Sequence, residues 1–413
     1  MKKRILIVGN DANAYALAKK MSEKNEVFIT PSSDALKEFT TYVDIRENKP
    51  EELIEFVLEN GIDLTIVISE AAIKSDIASI FAKNNQQIFA PTAKAAEIIF
   101  NKPQTKKIFY KLKIPTPKFG IFEKESMALD YIKNKSFPYV IKTADKNSAT
   151  VITSEKTAKI ITNSIFIEKN NKVLIEDFVY GTPFSYYAIT DGYKALPAGN
   201  SLNFRHSLDG DGGQLTDGMA SCVPNYKLSI DDEYFLMDNV IYPLLNYTQI
   251  GGSPYTGILG IDGIKTKHGR LFILGCTNFF QNADSAGIIE TINEDLYSLF
   301  ESCAIGSFSD EFDSVLTTDK YAVSLVLKST SKTLEKNSIN GLENLDENTV
   351  VTMFPNLIKN KYLEYEINNN SAIVLTSFAP TPATASERVY SEAESINFAG
   401  KFYRNDICKY SLS

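Results

Sequence analysis

Two lysines and a pair of neighbouring carboxylates could act together on a charged ligand. Lys142 ends an apolar run that begins at Tyr139, Lys102 lies in an earlier segment, and Glu176 and Asp177 lie in a later β-rich run. Lysine ammonium groups neutralise phosphate charge, and the backbone of a strand can bind the edge of an adenine ring. Each residue alone is more often a solvated surface residue, so the prediction of an ATP site depends on the whole set. The candidate nucleotide-binding residues are Lys102, Lys142, Glu176, Asp177, Phe178 and Val179.

A hairpin over Pro254–Asp284 is the second candidate part of this site. Two apolar runs flank a short turn at Lys267–Arg270, as expected for paired antiparallel strands. Both runs are apolar on most faces, so the hairpin is expected to be covered on both sides and to open into a cleft at its ends. Periodicity alone favours an ordinary core sheet with no role in chemistry, and the neighbouring motifs change that weighting.

The elements that would position these residues begin with a parallel α/β domain over residues 1–102. Short apolar strands such as Arg4–Val8 alternate with segments of helical periodicity, and Pro50 and Gly61 are placed to begin and end a helix. In such sheets ligands bind beyond the carboxyl ends of the strands. The sequence therefore points to the segments Gly9–Asn13 and Ile68–Glu70.

A proline-stiffened segment, Ile114–Pro117, separates this domain from a region of mixed strands and helices. We predict a multidomain fold of the α/β and α+β classes. Its domains would be a parallel α/β domain at 1–102, a larger domain at 103–318 and a small β-rich domain at 319–413.

Composition excludes several classes of protein. The 413 residues include 43 Lys and Arg against 51 Asp and Glu, and an acidic chain without basic runs is a poor partner for nucleic acid or an anionic membrane. No apolar run approaches the roughly 18 residues of a membrane span. The four cysteines form no Cys-x-x-Cys pair and there are only two histidines. We expect reduced thiols in a cytoplasmic protein and no His-rich metal site.

The order of these motifs resembles the phosphoribosylamine–glycine ligase family of ATP-grasp ligases, and the resemblance covers almost the whole chain. The matching segments are Asp63–Val67 with Glu70-Ala71, Ile88–Ala93, Asn101-Lys102, Val140–Lys142, Asp209–Gly213 with Thr216, Gly218 and Met219, Pro254–Leu259, and Asn397–Ile407.

This resemblance implies a pre-ATP-grasp domain, an ATP-grasp domain and a β-rich carboxy-terminal domain. It implies that ATP and Mg²⁺ convert the glycine carboxylate to an acyl phosphate, which the amine of phosphoribosylamine attacks in de novo purine synthesis. A monomer or homodimer is implied. The residues that it marks are Arg205 and Asp211 as catalytic groups and Gly9, Glu70, Gly218 and Asn278 as substrate contacts.

The departures from the family pattern concern charge. The segment Gly9–Tyr15 lacks an arginine and two glycines of the family's phosphate loop, and Asn147–Val151 lacks the glycines and lysine of its nucleotide lid, where Lys146 could substitute. In the second strand of the hairpin, Leu274 and Cys276 replace a carboxylate and an amide that would bind Mg²⁺.

Two further replacements leave the function open. Asn278 stands where the family has an arginine for the substrate phosphate, and the remaining carboxylate of the hairpin is Asp262. Asp262 is either a compensating metal ligand or a solvated aspartate. The alternatives are therefore an active ligase with altered metal use, a homologue that binds a nucleotide or a protein partner without catalysis, and an ATP-grasp ligase for a different amine.

Overall fold

The computed structural model describes residues 2–143, 149–167, 172–330, 338–355, 357–367 and 371–408. An amino-terminal sheet contains the parallel strands β1 (Arg4–Val8), β2 (Glu26–Thr30), β3 (Thr41–Tyr42), β4 (Leu64–Val67) and β5 (Ile88–Phe89). Their order across the sheet is β3-β2-β1-β4-β5. The helices are α1 (Ala12–Ser22), α2 (Pro50–Asn60), α3 (Glu70–Lys74), α4 (Ile77–Lys83) and α5 (Glu97–Phe100), with a 3-10 turn at Leu36–Glu38. This parallel α/β architecture confirms the predicted fold class for this region.

Local signals in the sequence explain where these helices begin and end. Helix α2 has Pro50 in its first turn and ends at Gly61, which adopts φ 60°, a left-handed conformation that favours glycine. Helix α1 begins at Asp11, whose Oδ1 accepts a hydrogen bond of 2.8 Å from Ala14 N. Helix α3 begins at Ser69, whose Oγ accepts from Ala72 N at 3.1 Å. Because α1 and α3 follow β1 and β4, both begin at the same edge of the sheet.

A second, antiparallel sheet contains β6 (Phe119–Phe122), β7 (Tyr139–Thr143), β8 (Ala149–Ile152) and β9 (Val173–Asp177), in the order β6-β9-β7-β8. The helices of this region are α6 (Lys102–Lys111), α7 (Glu125–Lys133) and α8 (Glu155–Ile167). Along β7, Tyr139, Ile141 and Thr143 are buried whereas Val140 and Lys142 are half-buried. Lys142 therefore lies on the face of the sheet opposite its hydrophobic core.

The third sheet is the largest and has nine strands. Eight of them are β10 (Thr182–Thr190), β11 (Ala195–Leu208), β12 (Gly212–Val223), β13 (Gly257–Lys265), β14 (Leu271–Thr277), β15 (Tyr321–Ser329), β16 (Thr349–Met353) and β19 (Ser371–Ala379). The ninth, β20 (Lys401–Phe402), pairs with β15, and a separate two-stranded sheet contains β17 (Leu357–Lys359) and β18 (Tyr365–Ile367). The order is β14-β13-β10-β11-β12-β15-β19-β16.

Helices and short turns complete this part of the chain. They are a 3-10 turn at Asp209–Asp211, α9 (Ile230–Leu236), a π-helical turn at Met237–Ile241, α10 (Tyr242–Ile250), α11 (Asn282–Thr291), α12 (Leu296–Ile305), α13 (Phe308–Glu311), a 3-10 turn at Leu342–Asn344 and α14 (Pro382–Ser395). Helix α11 runs beside α1, and Lys20 Nζ lies 2.9 Å from Glu290 Oε2 across this contact. No helix in the described ranges has the length and apolar character to cross a membrane.

The carboxy-terminal strands extend the large sheet. Strand β15 pairs with β12, for instance through Ala220 and Leu325, so β15, β16, β19 and β20 belong to the same sheet as the preceding region, and β17 and β18 pair apart from it. The pairing partner of a strand depends on residues distant in sequence, which is why periodicity did not reveal this continuity. The domain boundaries at residues 102 and 318 stay predictions.

The predicted hairpin consists of β13 and β14, but β14 forms the edge of its sheet. Ile261 and Ile273 are fully buried whereas Leu274 is half-buried. The linker covers the outer edge, because Ile273 N donates a hydrogen bond of 2.7 Å to Pro115 O. The hairpin was expected to be covered on both sides. In the structure one face is covered and the other is covered only in part.

Candidate active site

A buried carboxylate between two lysines occupies the junction of the second and third sheets. Glu176 on β9 is 2% exposed. Its Oε1 lies 2.6 Å from Lys106 Nζ, and its Oε2 forms an ion pair with Lys142 Nζ from β7. Burial raises the pKa of Glu176, but Lys142 and Lys106 outweigh this effect and hold that pKa below its usual range. The carboxylate is therefore ionised and orients both ammonium groups.

Sequence reasoning missed Lys106, although its spacing from Lys102 was a usable signal. The two lysines are four residues apart on α6 and so lie on the same helix face. Lys106 Nζ also donates to Thr116 Oγ1 at 2.5 Å and to Ile273 O at 3.3 Å. Lys106 therefore joins the Glu176 carboxylate to strand β14 of the hairpin.

Lys102 and Lys106 carry a charge that depends on pH near neutrality. Burial and the neighbouring charge of Lys142 lower the pKa of Lys102 to about 8, and Glu176 and Glu70 oppose the shift. Burial likewise lowers the pKa of Lys106 to about 8 against the attraction of Glu176. Three lysines around one glutamate leave a net positive charge at pH 7. We call Lys102, Lys106, Lys142 and Glu176 the lysine cluster.

The remaining predicted nucleotide ligands lie where β9 ends. The Asp177 carboxylate forms an ion pair with Lys135, the Phe178 ring lies 4.8 Å from that of Tyr180, and Val179 is half-buried. The Asp177 side chain already has a basic partner, so its contribution to ligand binding is limited to its backbone. Lys146, the predicted substitute in the nucleotide lid, lies outside the described residues.

Asp262 on β13 is enclosed by donors from three other segments. Its Oδ1 accepts from Ser185 Oγ at 2.7 Å and from Gln281 Nε2 at 2.6 Å, and it lies 3.0 Å from Arg205 Nη2. The carboxylate is thus neutralised by Arg205. This geometry argues against the solvated aspartate that the sequence left open, and it engages Oδ1, one of the two carboxylate oxygens, with protein donors.

A second buried carboxylate, missed in the sequence, lies behind Asp262. Asp284 on α11 is fully buried and accepts from Tyr187 OH at 2.7 Å, Ser201 Oγ at 2.6 Å and Asn203 Nδ2 at 3.2 Å. Burial raises the pKa of Asp284, and its hydrogen bonds and Arg205 oppose that shift. Polar residues alternating along β10 and β11 on one face were the available signal.

The donor set on the hairpin does not fit Mg²⁺. Leu274 has no lone pair, and burial raises the pKa of the Cys276 thiol, with Asp262 adding to the effect. Mg²⁺ requires several hard oxygen ligands in octahedral geometry, and the two strands of the hairpin offer one carboxylate, Asp262, whose Oδ1 is paired with Arg205. No cluster of three or more His, Cys, Asp or Glu side chains able to hold a metal occurs in the described part of the chain.

The amino-terminal pocket, at the carboxyl ends of β1 and β4, is a cavity of about 460 Å³ with an acidic lining. The residues that line it are Asn10, Asp11, Glu47, Ile68, Ser69, Glu70, Ala71 and Lys74. Lys74 lies 2.5 Å from Glu70 and is already paired. Burial raises the pKa of Asp11 to about 6, with Glu47 adding to the effect and the Ala14 N–H opposing it.

A phosphate group does not fit this pocket. The N–H donors at a helix amino terminus bind anions, but the Asp11 carboxylate already caps α1. The glycine at position 9 is needed for close packing of the backbone against Ile68, because a Cβ there would lie 2.5 Å from Ile68 Cγ1. Its lack of a side chain therefore serves this packing and not the approach of a phosphate. Asn278 is buried at the end of β14, and its Nδ2 has no hydrogen-bond partner among the residues described.

The other predicted substrate residues lie along β11 and β12. Asp211, at the tip between these strands, pairs with Arg404 at 2.9 Å, and Gly218 adopts φ 128° with its α-carbon facing Ala283. The lysine cluster is thus adjacent to the hairpin, which contacts Arg205. Asp211 is not part of this group, because its carboxylate is paired with Arg404.

Comparison with protein families identifies the chain. Residues 3–98 match the phosphoribosylglycinamide synthetase N domain, and residues 100–273 match the ATP-grasp (A) domain of the same synthetase. The chain belongs to the phosphoribosylglycinamide synthetase family.

Relatives of this family match nearly the whole chain. The phosphoribosylamine–glycine ligase of Pasteurella multocida is 27% identical over 98% of this chain and 97% of its own length. That of Lactococcus lactis is 32% identical over 64% of this chain and 67% of its own length. These matches fit the phosphoribosylglycinamide synthetase assignment.

Solved structures agree on the fold. The phosphoribosylamine–glycine ligase of Thermotoga maritima superimposes with a TM-score of 0.82 at 21% identity, covering 98% of this chain and 100% of that one. The biotin carboxylase domain of Hydrogenobacter thermophilus 2-oxoglutarate carboxylase has a TM-score of 0.72 at 14% identity, covering 97% and 92%. The match to the ATP-grasp (A) domain of the synthetase ends at residue 273, immediately before Leu274 and Cys276.

Proposed function

We propose that this phosphoribosylglycinamide synthetase homologue is an ATP-dependent ligase that joins the carboxylate of glycine to the amine of phosphoribosylamine. The observation that carries the proposal is the Glu176 carboxylate, held between Lys106 and Lys142 and connected through Lys106 to the hairpin. Such an array concentrates positive charge at a fixed position beside the end of strand β9. A triphosphate ligand needs that charge, and an adenine ring needs the adjacent strand backbone.

The chain's own residues supply positioning and charge neutralisation. Lys102, Lys106 and Lys142 would hold the phosphates, and the backbone at Asp177–Val179 would hold the adenine. ATP, once bound, supplies the activation of the carboxylate. The lysines lie in a largely dry environment, where electrostatic stabilisation is stronger than in water.

Arg205 is the proposed group for the carboxylate substrate. A guanidinium has five N–H donors in a planar fork, and among the described residues Asp262 is the carboxylate that forms an ion pair with Arg205. Donors on the same fork would orient the substrate carboxylate next to the lysine cluster. Proximity of two reactants in one orientation is a large part of catalysis by such ligases.

The family uses Mg²⁺, but the hairpin donors described above do not fit this ion. We therefore propose that lysines carry most of the phosphate charge, that nucleotide binding is nearly independent of Mg²⁺, and that turnover is slow. The acidic amino-terminal pocket would likewise make affinity for the ribose phosphate weak. None of the four cysteines forms a disulfide, which fits a cytoplasmic protein, and we expect a monomer or homodimer.

The test is release of ADP from ATP in the presence of glycine and phosphoribosylamine. The proposal predicts release that requires both substrates, at a rate below about 1 s⁻¹, and that Lys142→Met abolishes. Lys133→Met is the matched control, because Lys133 forms an exposed pair with Asp130 on α7. Release that is no faster than with ATP alone contradicts the proposal. Release with glycine and another amine, but not with phosphoribosylamine, assigns the chain to a different ligase reaction.

A further inference from the structure

We propose that Arg404, near the carboxyl terminus, is a positioning residue that holds the tip between β11 and β12 and thereby places Arg205. The inference rests on the proposed ligase function and extends it to a residue outside the matched family domains. The tip is Asp209–Asp211, the 3-10 turn between the two strands.

Arg404 uses all three of its guanidinium nitrogens although its side chain is only 1% exposed. Nε and Nη2 donate to the two carboxylate oxygens of Asp406 at 2.8 and 2.6 Å. Nη1 donates to Asp211 Oδ1 at 2.9 Å and to His206 O at 3.3 Å. The guanidinium also lies 5.4 Å from the centre of the Phe204 ring. A buried guanidinium with this many partners has a single orientation.

Two backbone N–H groups, one from each side, complete a clasp between the carboxy-terminal segment and the tip. Gly210 N donates to Asp406 Oδ2 at 2.8 Å, and Asn405 N donates to Asp209 Oδ1 at 2.8 Å. Three contacts between residues about two hundred positions apart in sequence thus fix the turn, and a fourth, to His206 O, fixes the end of β11.

The tip needs these external contacts because of its backbone conformation. Gly210 has φ 66°, and Asp211 has φ 55°. A positive φ is uncommon for a residue other than glycine and persists where the surroundings hold it. The ion pair from Arg404 is the contact that holds Asp211.

Strand pairing alone does not fix this end of β11. Its pairing with β12 is irregular between Phe204 and His206 and again between His206 and Leu208, as in a β-bulge. Arg404 contacts the Phe204 ring and the His206 carbonyl, which lie on either side of Arg205 in sequence. Because successive side chains on a strand point to opposite faces, Arg205 points away from Arg404 and meets Asp262.

Arg404 therefore contacts β11 from one face of the strand. In doing so it fixes the position of Arg205, whose side chain acts from the opposite face. Loss of Arg404 should let this segment shift, so that Arg205 no longer lies opposite its substrate. The lysine cluster is on other elements and should keep its geometry. The expected signature is a loss at the carboxylate and amine substrates with nucleotide affinity unchanged.

The test compares Arg404→Gln and Arg404→Lys with Arg388→Gln. Arg388 is a matched control because it lies on α14, in the same carboxy-terminal region, and donates to Phe378 O without contacting the tip. We expect Arg404→Gln to raise KM for glycine by tenfold or more while the Kd for ADP stays within twofold. Arg404→Lys keeps the positive charge but lacks the planar guanidinium, so its KM for glycine should lie between those of Arg404→Gln and the unmodified protein. It replaces Arg404→Gln in the test if that variant does not fold.

Hydrogen exchange of the backbone amides separates this inference from the proposed function. Arg404→Gln should raise exchange over residues 203–216 and Arg388→Gln should not. A folded Arg404→Gln protein with unchanged KM overturns the inference even if exchange rises. If the unmodified protein releases no ADP, the proposed function fails. In that case hydrogen exchange at residues 203–206 of Arg404→Gln tests the inference. Faster exchange than in the unmodified protein supports it, and unchanged exchange overturns it.

Discussion

The lysine cluster and the amino-terminal pocket have opposite charge. In the lysine cluster three ammonium groups surround the one buried carboxylate of Glu176. In the amino-terminal pocket three carboxylates, Asp11, Glu47 and Glu70, face a single lysine that is already paired. Both regions lie at strand ends, where α/β and ATP-grasp folds bind phosphate-bearing ligands. The lysine cluster has the positive charge that binding a phosphate requires, and the amino-terminal pocket does not.

The difference shows that fold and site chemistry are specified by different residues. Apolar strands such as Arg4–Val8 determine the sheet, and its fold matches that of its relatives. The charged and polar residues at the strand ends determine the ligand, and they can change without disturbing the core. Asp11 illustrates this, because it caps α1 well and for the same reason blocks an anion site there.

The largest difference between the regions should appear in stability. Glu176→Ala leaves Lys106 and Lys142 buried without a counter-charge and should cost about 3–5 kcal/mol in the free energy of unfolding. Glu70→Ala removes a partly exposed pair with Lys74 and should cost less than about 1 kcal/mol. Urea denaturation followed by circular dichroism measures both. Equal losses would show that the lysine cluster is not the tightly coupled element described here.

The metal position offers the next largest effect. ADP affinity of the unmodified protein should change by less than about threefold between excess Mg²⁺ and a chelator. Leu274→Glu with Cys276→Asn supplies oxygen ligands, so Mg²⁺ should tighten ADP binding about tenfold, or about 1.4 kcal/mol.

The control for this experiment is Leu274→Met with Cys276→Ala, which changes the same positions without adding oxygen. Calorimetry with each variant measures the effect. A strong Mg²⁺ dependence in the unmodified protein would mean that ligands outside the hairpin bind the ion.

Both regions should bind anions more weakly as the pH rises, each over a different pH range, and the lysine cluster has the larger response. The pKa values of Lys102 and Lys106 are lowered to about 8, so both side chains are protonated below that pH and neutral above it. ADP affinity should therefore be highest below pH 8. Above it, affinity should fall by up to about tenfold per pH unit for each lysine that must regain a proton.

Lys102→Arg tests the origin of this profile, because arginine stays protonated throughout the range. ADP titrations from pH 7 to 9.5 should give a shallower decline for Lys102→Arg than for the unmodified protein. Identical profiles would remove Lys102 from the nucleotide site.

The amino-terminal pocket should show a smaller effect at acid pH. The pKa of Asp11 is raised to about 6, so lowering the pH from 7 to 5 neutralises this carboxyl and should strengthen sulfate binding several-fold. Sulfate keeps its charge over that range. Asp11→Asn preserves a helix cap and should give pH-independent binding at the level of the protonated pocket. Sulfate binding that weakens on acidification would contradict the assignment of this titration to Asp11.

Much of the fold and part of the site were predictable from sequence. Strand and helix periodicity predicted the parallel domain. Lys142, Glu176 and the hairpin were predicted to converge, and they are connected through Lys106. These predictions succeed because local patterns determine which segments form strands. The resemblance in ordered motifs determined the family, which the domain matches at residues 3–98 and 100–273 bear out.

The unpredicted features depend on partners distant in sequence. Burial of Lys106 depends on Glu176 and Ile273, and burial of Asp284 depends on Tyr187 and Asn203. A charged residue on a helix ordinarily indicates solvent, so periodicity points away from both. The pairing of β12 with β15 could not be predicted for the same reason. Several apolar strands could pair with β12, and the local sequence of β12 does not specify which one does.

The most direct test of the contrast is calorimetric titration of one protein with two ligands at pH 7. ADP probes the lysine cluster, and ribose 5-phosphate, added after saturation with ADP, probes the amino-terminal pocket. The account predicts that ADP binds at least tenfold more tightly than ribose 5-phosphate and that Lys142→Met weakens ADP alone. Ribose 5-phosphate binding in the micromolar range, or as tight as that of ADP, would contradict it.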